Sequence, residues 1–278
     1  MTLSRKHAFI TGGARGQGRS HALALARRGI DVALVDLPAG VAIASTPVPL
    51  SGASDLQQTA EEVRSFGVRC LTFETDVRER DALVSAVDET VAEFGSVDYV
   101  AANAGIFSWS RIEDMPEPMW RDMIDVNLTG VFHTFHAVAG HLARQDFGRV
   151  VATASMAGRG GFAHLSHYTA AKWGLIGLAK SFALEMAQFG TTVNVVAPTN
   201  CDTPMLNNPA AYEFFAGKPG ATREDAAEQA AAMLPIDLPW IQPEDVTAAF
   251  LYLFSDGARY VNGEVLHVSG GMSASNAV

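Results

Sequence analysis

Cysteine is scarce in this sequence: Cys70 and Cys201 are the only two among 278 residues. They lie far apart, so there is no disulfide framework, no close cysteine pair and no metal-ligand spacing. Positive charge is also in short supply. Twenty Lys and Arg against thirty Asp and Glu leave a formal net charge of -10, which repels polyanions at long range, and no basic run interleaved with aromatics offsets it. Nucleic acid is therefore not an expected partner. No stretch approaches the ~20 apolar residues of a membrane span. Residues 1–6 lead almost directly into a short apolar run and a glycine loop, without the apolar core of a signal peptide. The expectation is a cytoplasmic protein with no membrane partner. Internal repeats and low-complexity tracts are absent as well.

What is present is the balance of a globular enzyme, with 48% apolar and 18% charged residues. Glycines and apolar runs are spread throughout, and the simplest organisation is one domain over residues 1–278. Short β-branched or apolar runs at 7–11, 31–36, 69–74, 97–101, 149–154, 192–197 and 264–268 read as seven strands. Between them, stretches at 17–28, 81–94, 119–144, 168–189 and 244–254 carry apolar residues at three- and four-residue spacing, the helical period. Such alternation predicts an α/β protein: a doubly wound, seven-stranded parallel sheet with helices on both faces. Ligands of such sheets sit beyond the carboxyl ends of the strands, so the chemistry is expected in the loops that follow them.

Two segments break the rhythm. Residues 37–55 contain three prolines and two glycines and read as an insertion after the second strand, where a few residues would suffice. Residues 199–242 carry Pro204, Pro209, Pro219, Pro235 and Pro239 around a helical pattern at 224–233. This second segment is expected to be a lid over a substrate site, with a packed surface excursion as the plainer alternative.

The first strand runs into Thr11-Gly12-Gly13-Ala14-Arg15-Gly16-Gln17-Gly18, and a helix pattern opens at once. Glycines there allow the turn to close and the backbone to approach a pyrophosphate, which then meets the free N–H groups of a helix N-terminus. Asp36 ends the second strand eighteen residues beyond Gly18. A carboxylate at that point accepts from ribose hydroxyls and repels a 2′-phosphate, which favours NAD over NADP. Leu37 follows without supplying a cation, whereas Arg15 argues for a 2′-phosphate. His21 reads as a packing residue in preference to a pyrophosphate contact.

Tyr168 and Lys172 are four apart at the start of a helix pattern and so share a face. A phenol with a pKa of ~10 is a poor base at neutral pH, and a neighbouring cation favours its ionisation. Ser155 closes the fifth strand, placed to hold a substrate oxygen. Tyr-x-x-x-Lys alone usually marks only an amphipathic helix face.

The whole order of motifs, however, resembles the short-chain dehydrogenase/reductase family, whose fold is of the Rossmann type. The family's glycine loop matches residues 11–18, its adenine-side Asp matches Asp76 beside Val77, and its Asn-Ala-Gly turn matches Asn103-Ala104-Gly105. Its tetrad falls on Asn127, Ser155, Tyr168 and Lys172, with the family's gap of thirteen from Ser155 to Tyr168. The resemblance implies that Tyr168 takes the alcohol proton as hydride passes to the nicotinamide, that Lys172 also holds the nicotinamide ribose, and that the Asn127 backbone supports a relay water. It implies a homotetramer built through 119–144 and 168–189. One departure is Pro198-Thr199 where the family commonly has Pro-Gly; Thr203 still falls where the family's Thr meets the carboxamide, with Met205 close behind. Another is Ser269 in place of a common acidic residue. Residues 16–22, the insertion after Asp36 and Thr203-Pro204-Met205 further resemble the mycofactocin-coupled, carveol-dehydrogenase-like branch. That narrower resemblance implies an NAD held under the insertion and reoxidised by a redox partner, mycofactocin, instead of exchanging freely.

The expected substrate pocket comprises Phe107, Trp109, Met156, Phe162, His164, Met205, Leu206, Phe214, Phe215 and Trp240. With no Arg cluster to clamp phosphate or carboxylate, these residues suit a bulky hydrophobic alcohol or ketone, terpenoid or steroid-like. The reading is an NAD-dependent oxidoreductase without a metal. Its alternatives are an NADP-dependent carbonyl reductase and a non-catalytic dinucleotide sensor or scaffold.

Overall fold

Seven parallel strands form one sheet in the order β3-β2-β1-β4-β5-β6-β7 in a computed structural model that describes residues 6–38 and 40–274. Residues 1–5, on which the signal-peptide expectation largely rests, lie outside the described residues. The strands are β1 (His7–Thr11), β2 (Asp31–Asp36), β3 (Cys70–Glu74), β4 (Tyr99–Ala102), β5 (Gly148–Thr153), β6 (Thr191–Pro198) and β7 (Val265–Val268). All seven expected strands are present, the first two with the expected ends and the others with ends shifted by at most two residues. The sheet is the doubly wound Rossmann arrangement, and its order reverses between β1 and β4.

The period-two alternation of a strand sends neighbouring side chains to opposite faces, and both faces here are covered. On one, Phe9, Ala33 and Val35 join a core supplied largely by α3 (Arg80–Phe94), α5 (Gly130–Gln145) and α6 (Ser166–Met186). On the other, Ala8, Ile10, Val32 and Leu34 meet α1 (Gly16–Ala26), α2 (Ala53–Arg64) and α9 (Pro243–Phe254). Burial on both faces explains why β1, β2 and β6 are apolar along most of their length.

Three expectations change. The insertion read as 37–55 ends as loop at Gly52, because α2 begins at Ala53 and the Asp55 carboxylate accepts the Gly52 N–H at 2.9 Å. Small polar residues that resemble a loop are here a helix N-terminus. The run 119–144 is divided: α4 (Glu117–Ile124) passes through a π turn at Asp125–Thr129 into α5. The segment 199–242, expected as a lid, contains two helices, α7 (Pro209–Ala216) and α8 (Arg223–Ala232), where one was expected. The signal for α7 was in the sequence, since Asn208 caps it through the Ala211 N–H at 3.0 Å and Pro209 occupies its first turn.

His21 lies inside α1, fully buried, and joins that helix to α9. Its ring stacks on Phe250 with centroids 4.0 Å apart, and Nδ1 lies 2.7 Å from Thr247 Oγ1. Burial pushes its pKa down to about 3, so it is neutral in the fold and titrates in the unfolded chain near 6.5. The unfolded state therefore takes up the proton first, and the fold loses stability as pH falls below about 6.5. We expect His21→Leu to cost about 1 kcal/mol at pH 7 for the lost hydrogen bond. At pH 5, where only the wild type carries this linkage, the difference should move by about 2 kcal/mol in the variant's favour and so change sign; urea unfolding at the two pH values measures it, and a pH-independent gap contradicts the assignment.

Candidate active site

The carboxyl ends of β1 and β4 face a cleft of about 400 Å³. Its first wall is the turn after β1. Gly12 and Gly16 adopt φ of +67° and +56°, and a Cβ on Gly12 would lie 2.8 Å from Ala104 Cα. Only glycine combines that conformation with that approach. Gly18 lies behind the cleft: a Cβ there would stand 2.0 Å from the Gly12 carbonyl oxygen, so it serves the packing of α1 on β1. Arg15, the N-cap of α1, supplies no side-chain acceptor, which leaves the helix's leading N–H groups and its positive dipole end directed at the cleft. Gly12, Arg15, Gly16 and Gln17 all line it. This cradle, open at a helix N-terminus, fits a pyrophosphate.

Asp36 lies at the end of β2, 9% exposed. It accepts the Ala14 and Leu37 N–H groups, each at 2.8 Å, and the Ser51 hydroxyl. Asp36 and Leu37 line the cleft. Arg15 donates to the Pro49 carbonyl of the insertion, with Asp55 and Asp36 as its charged neighbours, which takes it into the protein's own network. Asp76 and Val77 form the next stretch of wall, and the Asp76 carboxylate is gripped by Arg78 through Nε at 2.9 Å and Nη2 at 2.6 Å.

The floor is built at Asn103-Ala104-Gly105. The Asn103 amide donates to the Thr11 and Gly12 carbonyls, each at 3.3 Å, and its oxygen accepts from Thr153 Oγ1 at 3.0 Å, tying together the ends of β1, β4 and β5. Asn127, in the π turn, is fully buried behind the floor. Its side chain both accepts the Ile106 N–H at 2.8 Å and donates to the Ile106 carbonyl at 2.9 Å. The cleft wall does not include it, so its contribution from this side is to hold the segment after β4.

Ser155, Tyr168 and Lys172 meet on the far side of the cleft. Ser155 follows β5 and its Oγ accepts the Ala157 N–H at 3.1 Å. Tyr168 enters from the first turn of α6, and its hydroxyl is in hydrogen-bonding contact with Ser155. Lys172, one turn on, is 3% exposed and donates from Nζ to the Thr153 carbonyl at 2.8 Å. Nζ is 5.6 Å from the Tyr168 ring centre. Burial dominates both groups: it pushes the Tyr168 phenol up to about 12, against a smaller lowering from Ser155, and the Lys172 ammonium down to about 8. The expected lowering of the phenol by its lysine is thus outweighed in the chain itself.

The apolar end is a separate buried cluster of Val48, Phe107 and Leu165, against which Phe162, Met205, Leu206 and Phe214 pack. Phe107, Met156, Phe162, Met205, Leu206 and Phe214 all line the cleft, as do Pro198, Thr199 and Thr203. His164 does not: it is exposed in a left-handed turn with φ +68°, and its carbonyl accepts the Ser110 N–H at 2.9 Å. Trp109 and Trp240 stand behind the wall, against Phe214 and Phe215 respectively. Sequence reasoning missed Ile43, Leu50 and Ser51 of the insertion, Met233 of the long segment after β6 and Met272 near the chain end. No local signal marks them, because long-range packing brings them to the cleft. Among the described residues no group of three His, Cys, Asp or Glu could hold a metal ion, and no helix is long and apolar enough to cross a membrane.

Known proteins share this arrangement. The chain is 43% identical over 267 residues to (-)-trans-carveol dehydrogenase of Rhodococcus erythropolis, over 95% of this chain and 96% of that enzyme. It superposes with a TM-score of 0.94 on carveol dehydrogenase from Mycobacterium avium in complex with NAD, at 38% identity, covering 98% of this chain and 99% of that one. A short chain dehydrogenase from Mycobacterium paratuberculosis bound to NAD gives a TM-score of 0.85 at 32% identity, covering 99% and 100%. The family described as short chain dehydrogenase matches residues 6–213. The motif order, the sheet topology and these matches agree: the chain belongs to the short-chain dehydrogenase family.

Proposed function

We propose that this short-chain dehydrogenase oxidises a bulky hydrophobic secondary alcohol of terpenoid type with NAD, using Tyr168 as general acid/base. The observation that carries the reading is the meeting of Ser155, Tyr168 and Lys172 in one cleft, between the glycine cradle and an apolar pocket. Bound NAD supplies the acceptor for the hydrogen and electron pair that leave the alcohol carbon. Ser155 Oγ holds the alcohol oxygen, and Tyr168 Oη removes its proton as the carbon–oxygen bond becomes a carbonyl. Lys172 sits beneath the site, its ammonium steadied by the Thr153 carbonyl and placed for a ribose hydroxyl. Asn127, through the π turn, supports the route by which the proton leaves. Carveol, named for two relatives, is the natural probe substrate. The intact constellation weighs against a non-catalytic sensor or scaffold.

Oxidation needs the phenolate and reduction the phenol. With the phenol raised by burial, the phenolate fraction grows with pH, so carveol oxidation should speed up from pH 6 to 8. The rise should flatten above about 8 as Lys172 loses its charge, and carvone reduction should not share it. Tyr168→Phe should lower kcat roughly 10²- to 10⁴-fold while the variant still binds NAD; unchanged turnover contradicts the assignment.

Asp36 carries the preference for NAD. A 2′-phosphate would meet its buried carboxylate, and like charges placed together cost several kcal/mol, so protein freed of its nucleotide should bind NADP more weakly than NAD by on the order of 10². The competing reading, an NADP-dependent carbonyl reductase, rests on Arg15 and requires the opposite ratio. The insertion supports a slowly exchanging NAD reoxidised in place by mycofactocin: Ile43, Leu50 and Ser51 line the cleft, Ser51 bonds Asp36, and Thr46 Oγ1 donates to the Phe107 carbonyl at 2.6 Å. Mass analysis of the denatured protein, alongside titration with both dinucleotides, should find retained NAD and little response to added NAD. Full turnover with freely exchanging NAD contradicts this part.

Phe132 and Trp173, 45% and 48% exposed on α5 and α6, support a homotetramer through these helices, since exposed aromatics on neighbouring helices favour association. Light scattering should give four chains, and Trp173→Glu should shift the mass downward.

A further inference from the structure

The segment 106–110 follows the floor and has neither helix nor strand structure, yet it carries Phe107, an aromatic wall in contact with Tyr168. The Phe107 ring meets the Tyr168 ring edge-on, with centroids 5.2 Å apart and planes at 85°, and also meets Phe214 at 5.9 Å. A coil lacks the repeating hydrogen bonds that fix a ring's position in a helix or strand, so its placement depends on individual ties. Three have been described above: Asn127 grips both backbone groups of Ile106, Thr46 donates to the Phe107 carbonyl, and Ser110 N–H meets the His164 carbonyl. The fourth is Ser108. Its hydroxyl lies 2.9 Å from His167 Nε2, and both residues are 0% exposed.

His167 stands immediately before Tyr168 in the first turn of α6, as Ser108 stands immediately after Phe107. The hydrogen bond therefore joins the neighbours of the two rings that meet in the cleft. Neither residue lines the cleft, and burial pushes the His167 imidazole down to about 4, so the pair stays neutral through the working pH range and supplies no charge to the reaction.

We propose that Ser108 and His167 are positioning residues that set substrate specificity, locking the Phe107 wall to the start of α6 so that the apolar pocket keeps a fixed width beside Tyr168. The inference rests on the preceding reading of Tyr168 and the apolar pocket. Without the tie, the Phe107 segment relaxes outward, and an alcohol large enough to touch the wall loses more than one that does not reach it.

The test compares the wild type with Ser108→Ala, His167→Phe, His167→Gln and the Ser108→Ala/His167→Phe double variant. The probes are carveol and the smaller cyclohexanol, and KM is read in single turnovers as the alcohol concentration at which NAD already loaded on the protein is reduced at half-maximal rate. Each single variant that breaks the bond should raise KM for carveol about three- to tenfold, with a smaller change for cyclohexanol and none in the amount of NAD the protein retains. Phe keeps the ring without the hydrogen bond, whereas the Gln amide can restore it, so His167→Gln should recover most of the carveol KM. Because both single changes break one bond, the double variant should be no worse than the poorer single. Multiplicative losses in the double variant, no recovery by Gln, or a rise in carveol KM accompanied by loss of retained NAD would each overturn the proposal. Should Ser108→Ala fail to fold, Ser108→Cys, with its weaker donor, should give an intermediate carveol KM, and a wild-type KM there also overturns it. The two readings fail differently: unchanged turnover in Tyr168→Phe removes the acid/base assignment, whereas wild-type specificity in the Ser108 and His167 variants removes only this one. A wild type that oxidises neither alcohol overturns both.

Discussion

No side chain fits between the first turn of α1 and the end of β1. A Cβ on Gly18 would stand 2.0 Å from the Gly12 carbonyl oxygen and 2.9 Å from the Asn103 amide nitrogen, so the helix can lie on the strand end only because glycine is there. The site depends on that contact. It places the leading N–H groups of α1 over the point where strand order reverses, and it lets Asn103 reach the Thr11 and Gly12 carbonyls while still accepting from Thr153. One close approach thereby sets the distance between the cradle, on β1, and the reactive side chains, beyond β5.

The reactive half answers a different constraint, that buried polar groups need partners. Lys172 places its ammonium on the Thr153 carbonyl, Asn127 uses its amide on Ile106, and Ser155 accepts the Ala157 N–H. These bonds fix the positions of the groups within the chain itself, the preorganisation that the proposed chemistry calls for. The same low-dielectric surroundings raise the Tyr168 phenol and lower the Lys172 ammonium. In the chain alone Tyr168 is therefore held in its protonated form.

The insertion after β2 and the long segment after β6 both line the cleft. Between Leu37 and Gly52 the insertion has no helix or strand among its described residues, and it is held through Ser45 to Asp122, Thr46 to Phe107, Pro49 to Arg15 and Ser51 to Asp36. Several of these partners belong to the cradle or the apolar wall, so one loop braces both halves of the site. Its prolines and glycines marked it as irregular, but nothing in its composition indicates which residues it reaches, because the partners lie up to 77 positions away.

What the sequence by itself determined was whatever is written in local period or local spacing. The seven strands follow from runs matched to a two-sided buried sheet, the cradle from glycines where a strand meets a helix, and the shared face of Tyr168 and Lys172 from a four-residue interval on a helix. The helical pattern could not show the π turn at Asp125–Thr129, since one extra residue in a turn barely disturbs apolar spacing. Composition around residues 53–55 pointed to loop because small polar residues serve loops and helix starts alike. His164 and His167 were alike as sequence, two histidines just before Tyr168. Only the fold separates them: a left-handed turn exposes His164, and α6 buries His167 against Ser108. Ser108 and His167 are 59 positions apart, and a contact between such distant residues is made by packing the coil after β4 against the start of α6, which no local pattern encodes.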